Sequence, residues 1–232
     1  KNVFIVGSSY ADDLLNIFNH NINLKENFYF YTASKKNPTR NSYGYYQIKC
    51  FYEFLESDFK ETKCHKHDFT NHLEKQYSKS DYIIFNHNEV SQEYADLIKK
   101  IQPILIKDNK KFLIIISDIR IPFFSVFNRI DTFFYHHKGV PNKTNLGRLE
   151  KDIFKYSRSY DQKRILSFQR QLEKMQIKYV TTLNLFCDKK LQSCPVITNQ
   201  NEKIFEDYGH ITNEGAKYLS VNFNNFINEN FK

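Results

Sequence analysis

No stretch of this 232-residue chain approaches the ~20 consecutive apolar residues that a bilayer-spanning helix needs; the longest apolar runs, such as 112–116, are strand-sized. A secretory leader is also lacking. The chain begins at Lys1 without a Met, and a strand-like run, residues 3–6, follows almost at once. That abrupt start is expected of a domain excised from a larger protein, whose remaining part could carry targeting or membrane segments. Neither an internal repeat nor a low-complexity linker interrupts the sequence, so residues 1–232 are read as a single domain. The formal charge of +8 comes without a nucleic-acid-binding motif, and nucleic acid is not the expected partner. The charge favours an anionic glycan or a membrane face, although a chain this rich in Lys, Asn, Ile, Tyr and Phe could owe it to nucleotide bias. Cys64-His65-x-His67-Asp68 matches no zinc spacing and His136-His137 reads as part of a loop, so no metal site is expected.

What is present is a globular composition, 41% hydrophobic, arranged as alternating strands and helices. Strands are predicted at 3–6, 28–31, 82–85, 112–116 and 179–185. Helices are predicted at 11–18, 91–101 (ended or interrupted by Pro103), 148–175 in two pieces, and 213–226 with Thr212 as N-cap. This alternation predicts a three-layer α/β/α sandwich around a parallel sheet, with ligands at the carboxyl ends of the strands. The stretch 117–146, dense in Phe, Tyr and His, is expected to be a long loop over that edge, a lid or binding loop, whose aromatic part, 123–135, reads as satellite core more readily than as a sugar platform. Of the four cysteines, Cys187 and Cys194 flank a short polar loop that a disulfide could close, which favours an oxidising compartment. Cys50 and Cys64 are a possible second pair, and four cysteines also fit a reduced chain.

Three segments carry candidate chemistry. In Val6-Gly-Ser-Ser-Tyr10, a serine lies between a strand and a helix start, near N–H donors able to stabilise a developing anion. In Asp207-Tyr-Gly-His210, a carboxylate three residues from an imidazole can fix its tautomer. In Asn86-His-Asn88, a side-chain amide after a strand can donate to an oxyanion. Each alone reads as a cap, a loop histidine or a turn residue.

Together, in this order, the three segments resemble the SGNH (GDSL-like) hydrolase and acyltransferase family across the whole chain. The resemblance implies an SGNH, flavodoxin-like fold. It gives Ser9 the place of the nucleophile, Asp207 and His210 those of the other triad members, and Asn88 that of the oxyanion-hole Asn. Ser9 N–H and Gly44, taken as the second-block glycine, would complete the oxyanion hole. Ser8 departs from the family's Asp, and Asn86 from its Gly. The Ser loop and the tail Phe186-Cys187…Cys194-Pro-Val…Phe205-Glu-Asp-Tyr-Gly-His-Ile-Thr are similar to SGNH domains fused to membrane acyltransferases of the acyltransferase-three family. That narrower resemblance implies an extracytoplasmic, membrane-tethered O-acetyltransferase acting on a bacterial surface glycan, lipopolysaccharide O-antigen or peptidoglycan, through an acyl-serine. The domain itself would need no cofactor, its acetyl group coming ultimately from acetyl-CoA through an N-terminal membrane part. A carbohydrate esterase shares the same triad, and a non-catalytic glycan-binding module shares the same fold.

Overall fold

The computed structural model describes residues 1–21, 28–32, 44–56, 69–88, 90–124, 127–137 and 142–230. The chain opens with β1 (Asn2–Gly7) and α1 (Ser9–His20), then β2 (Tyr29–Thr32), α2 (Gly44–Leu55), α3 (Phe69–Lys79), β3 (Tyr82–His87), α4 (Gln92–Lys107) and β4 (Lys111–Ile116). A two-stranded hairpin of β5 (Phe123–Phe124) and β6 (Phe127–Asn128) leads to α5 (Arg129–His137), α6 (Lys143–Ser159) and α7 (Gln162–Lys174). After β7 (Tyr179–Thr181) come α8 (Thr182–Phe186), α9 (Asn213–Ser220) and α10 (Phe223–Asn230).

The main sheet has five parallel strands in the order β2-β1-β3-β4-β7, the doubly wound, flavodoxin-like order. β1, β3 and most of β4 bury both faces and so read as largely apolar runs. Val3 and Ile5 of β1 point into a core shared with α1, α6 and α9; Phe4 and Val6 point into a second core with α2, α4 and α7. Because β2 lies on one side of β1 and β3 on the other, the carboxyl ends of β1 and β3 border the topological switch point. Gly7 pairs there with Asn86, and a Cβ on Gly7 would come within 2.0 Å of the Asn86 carbonyl oxygen, so only glycine allows this approach.

The predicted α/β/α sandwich is observed, with local differences. Pro103 does not end its helix: α4 continues to Lys107, with the proline on the exposed face. The strand expected over 179–185 stops at Thr181, whose hydroxyl accepts from Asn184 N–H and starts α8. The predicted final helix is two helices, and the break lets Phe223 pack against both Phe18 and Phe186. Where a loop was expected over 117–146, the described residues include the β5 and β6 strands, α5 and the first turn of α6. Ile130 is buried, and Phe133 and Phe134 pack on the first core. This part of the segment is satellite core, while Tyr135 beside it is exposed.

Cys187 and Cys194 form a disulfide that closes a tight loop. Asp188 and Ser193 exchange both backbone hydrogen bonds across it. Cys50 is buried in α2, while Cys64 and the Cys64–Asp68 cluster lie outside the described residues. Among the described residues no helix is long and apolar enough to cross a membrane.

Candidate active site

Ser8 ends β1 in an extended conformation at the N-cap of α1, which makes Ser9 the first helical residue. The Ser8 hydroxyl is buried and makes no capping bond, so the pair is not a conventional cap. At this position the Ser9 N–H has no carbonyl one turn back to bond and points out of the helix start. One turn further on, Asp13 lies on the same face of α1 as Ser9, because residues four apart stack along a helix.

The other half of the site is the loop before α9. Phe205 and Ile211 form a bridge, and Glu206 N–H donates to the His210 carbonyl at 2.8 Å. The Asp207 carboxylate accepts from the backbone N–H groups of Gly209 (2.9 Å) and His210 (2.8 Å). Thr212 closes the loop by capping α9, accepting from Gly215 N–H at 2.9 Å. Gly209 must be glycine here: a Cβ would lie 2.8 Å from the Tyr10 hydroxyl.

The loop brings His210 onto the start of α1. Its Nε2 lies 3.0 Å from Ser9 Oγ, and its Nδ1 lies 2.7 Å from Asp13 Oδ2. An ionised carboxylate can only accept, so Asp13 fixes the proton on Nδ1 and leaves the Nε2 lone pair for the serine O–H. Tyr10 stacks on the imidazole, ring centroids 4.5 Å apart, and Tyr208 meets it edge-on at 5.8 Å. The hydrogen bond that His210 Nδ1–H donates to Asp13 raises the His210 pKa above the ordinary imidazole value, against the lowering effect of partial burial. Burial pushes the Asp13 carboxyl up, and the bond to His210 pulls it back toward the ionised form.

Ser9 and His210 are therefore brought together, whereas Asp207 is not the carboxylate on the ring. Its reachable oxygen is taken by two backbone amides of its own turn, a local bond that short acidic side chains readily make. Asp13 was not singled out from the sequence. The available signal was its i, i+4 spacing from Ser9 on a helix starting at the serine. Asn88 sits two residues past the Gly7–Asn86 pairing on β3, as Ser9 does on β1, so both leave the sheet at neighbouring strand ends. Asn88 is half-buried. Asn86 has its amide on the Ile115 carbonyl and Ser117 hydroxyl, which ties β3 to β4. His87 is buried and stacked on Tyr94 at 4.6 Å. Gly44 is the first residue of α2, where backbone N–H groups are free of helical partners. His136 and His137 lie exposed in the last turn of α5.

Comparison with known proteins bears on this arrangement. Curated protein sequences give no match. Among solved structures, the periplasmic domain of the Salmonella ser. Paratyphi A lipopolysaccharide acetyltransferase superposes with a TM-score of 0.57 at 16% identity, covering 97% of this chain and 83% of that one. At that identity the likeness is one of fold. The family described as "SGNH domain (fused to AT3 domains)" matches residues 1–225, nearly the whole chain and both halves of the site. The chain therefore belongs to the family of SGNH domains that occur fused to AT3 domains.

Proposed function

We propose that this domain transfers an acyl group, acetyl in the first instance, to a hydroxyl of a bacterial surface glycan through an acyl-Ser9 intermediate. The observation that carries the reading is the relay Ser9 Oγ to His210 Nε2 (3.0 Å) and His210 Nδ1 to Asp13 (2.7 Å). Membership of a family fused to AT3 domains adds the expectation of a membrane acyltransferase as partner and source of the acyl group, ultimately acetyl-CoA. The neighbouring fold of a lipopolysaccharide acetyltransferase domain supports the glycan class of acceptor. The Cys187–Cys194 disulfide supports an extracytoplasmic site of action.

In the first half-reaction His210 takes the Ser9 proton on Nε2 as Oγ bonds to the acyl carbon. Asp13 holds the ring and stabilises its positive charge. The oxyanion faces the Ser9 N–H at the start of α1, with the Asn88 amide and the Gly44 N–H as the further donors assigned to it. The tetrahedral centre collapses, the donor's leaving oxygen or sulfur departs with the proton from His210, and acyl-Ser9 remains. In the second half-reaction His210 deprotonates the sugar hydroxyl, which attacks acyl-Ser9, and the proton returns to Oγ. Asp207 acts at one remove, holding the loop that presents His210.

The test is to incubate the chain with a small acetyl ester, look for a covalent acetyl on Ser9 by mass spectrometry, and then add O-antigen or peptidoglycan fragments. Acetylated glycan is the expected product. Free acetate at the same rate with or without glycan would make the domain an esterase, and no acyl-Ser9 in a folded protein would remove the covalent mechanism.

A further inference from the structure

The relay leaves one charged side chain unexplained. Arg120, in the segment after β4, is only 9% exposed. Its backbone is clamped to α6: the Arg120 N–H donates to Ser157 Oγ at 2.8 Å, and the Ser157 hydroxyl donates back to the Arg120 carbonyl at 3.0 Å. Nη1 donates to the Ile119 carbonyl at 2.8 Å and reaches the Tyr10 hydroxyl at 3.5 Å, while Nη2 reaches the Asn88 carbonyl at 3.5 Å. The guanidinium lies over two rings, Tyr10 at 5.6 Å and Tyr160 at 5.7 Å. Among the described residues no carboxylate pairs with it. A desolvated cation held between two π faces, with no counter-ion among the described residues, is costly to the fold. It is also well prepared to receive an anion.

Space for that anion adjoins it. Arg120 lines an open groove of about 390 Å³ together with Asn88, Tyr156, Tyr160, Arg164 and Tyr208. The groove is next to the relay: Tyr208 lines it and Tyr10 lies under Arg120, and both rings meet the His210 ring. The bonds within the protein use Nη1 and part of Nη2, which leaves Nε–H and an Nη2–H as the side-on fork that oxyanions accept. Arg164 at the rim is already paired with Asp161 at 3.1 Å. On the adjoining face of α6, a second groove carries Lys151, Lys155, Arg158 and Lys190, and its Asp152 is engaged by Arg129.

We infer that the Arg120 groove is a subsite for an anionic substituent, carboxylate or phosphate, on the acceptor glycan, held side-on by the guanidinium with its sugar ring against Tyr160 and Tyr208. The inference rests on the acyl-transfer reading for its substrate but is tested by binding alone. Titrate the isotopically labelled 232-residue chain with methyl β-glucuronide, glucose 6-phosphate and methyl β-glucoside, and follow amide shifts. One or both anionic sugars should bind at least about tenfold more tightly than the glucoside, as expected for charge-assisted hydrogen bonds. Shifts should centre on Asn88, Arg120 and Tyr160, and the advantage should shrink with added salt. Whichever anionic sugar binds more tightly identifies the substituent. Arg120→Gln should erase the advantage, and Arg164→Gln at the rim should reduce it less than threefold. Equal binding of all three sugars, or no binding, overturns the subsite; so does an anion preference that survives in folded Arg120→Gln protein. If Arg120→Gln does not fold, the three wild-type titrations decide. Failure of the acyl-transfer reading would appear separately, as absence of acyl-Ser9 while these titrations are unchanged.

Discussion

The turn from Gly7 to Asp13 and the loop from Phe205 to Thr212 supply the same relay in opposite ways. In the first, helix geometry alone sets the spacing of Ser9 and Asp13, and few side-chain bonds are needed. In the second, no regular element fixes His210. The loop is held by a bridge, an acidic side chain on two backbone amides, a capping threonine and a glycine that lets Tyr10 approach. The helical half tolerates no change of functional group, whereas the loop half has several partly redundant supports. Substitutions at Ser9 and Asp13 in the first, and at His210 in the second, should therefore remove chemistry, and those at the residues that support the loop should mainly loosen geometry.

The most severe expected change is Ser9→Ala. It should lower acyl transfer from a model ester by roughly 10⁴-fold or more, with an unchanged melting curve, because the side chain carries the covalent bond and little packing. Turnover surviving in a folded Ser9→Ala protein would move the nucleophile elsewhere. Next is Asp13→Asn, expected to cost about 10³-fold, since an amide favours the wrong imidazole tautomer. Its signature is in the pH profile. His210 must be neutral to act as base, and its raised pKa puts the acidic limb of the wild-type rate above the ordinary value of about 6.5. The variant's limb should move down. The same proton contributes stability that is fully present below about pH 6.5 and is lost as pH rises through the raised value, so the wild-type melting temperature should fall across that window.

Asp207→Ala should have a smaller effect: about tenfold in rate, and 1–2 kcal/mol in denaturant stability from two lost hydrogen bonds to the backbone. If Asp207→Ala abolished turnover while Asp13→Asn left it intact, the two carboxylates would exchange roles. Thr212→Ala should be mildest, about 1 kcal/mol for a helix cap with the rate nearly preserved; urea titration alongside the ester assay checks both.

The fold was legible in the sequence because buried parallel strands are short apolar runs and nearly every one ends at a polar or turn residue. The failures were tertiary. Pro103 was expected to stop a helix, but on the solvent side the missing hydrogen bond costs less than the burial of Ile101 and Leu105 gains. The stretch after β4 looked like a loop because its aromatics lack clear periodicity; Phe133 and Phe134 pack on the core as satellite aromatics should, but from a helix that the sequence did not reveal. Within the site, Ser9 and His210 were readable from motif and position. Asp13 was not, because an acid near the start of a helix is ordinary and only the arrival of the loop brings His210 to it. Arg120 was invisible for a similar reason: its neighbours Tyr10, Asn88, Ser157 and Tyr160 are scattered over 150 residues.

Ser9 and His210 are 201 positions apart in sequence, and Asp13 and His210 are 197 apart. The nucleophile and the carboxylate on its base are thus synthesised some two hundred residues before the base. Local contacts can form α1 early, but nearly the whole sheet must be laid down before the closing loop reaches it, the kind of long-range closure that comes late in folding. The nascent domain accordingly carries an unarmed serine throughout its assembly, and arming it is among the final acts of folding.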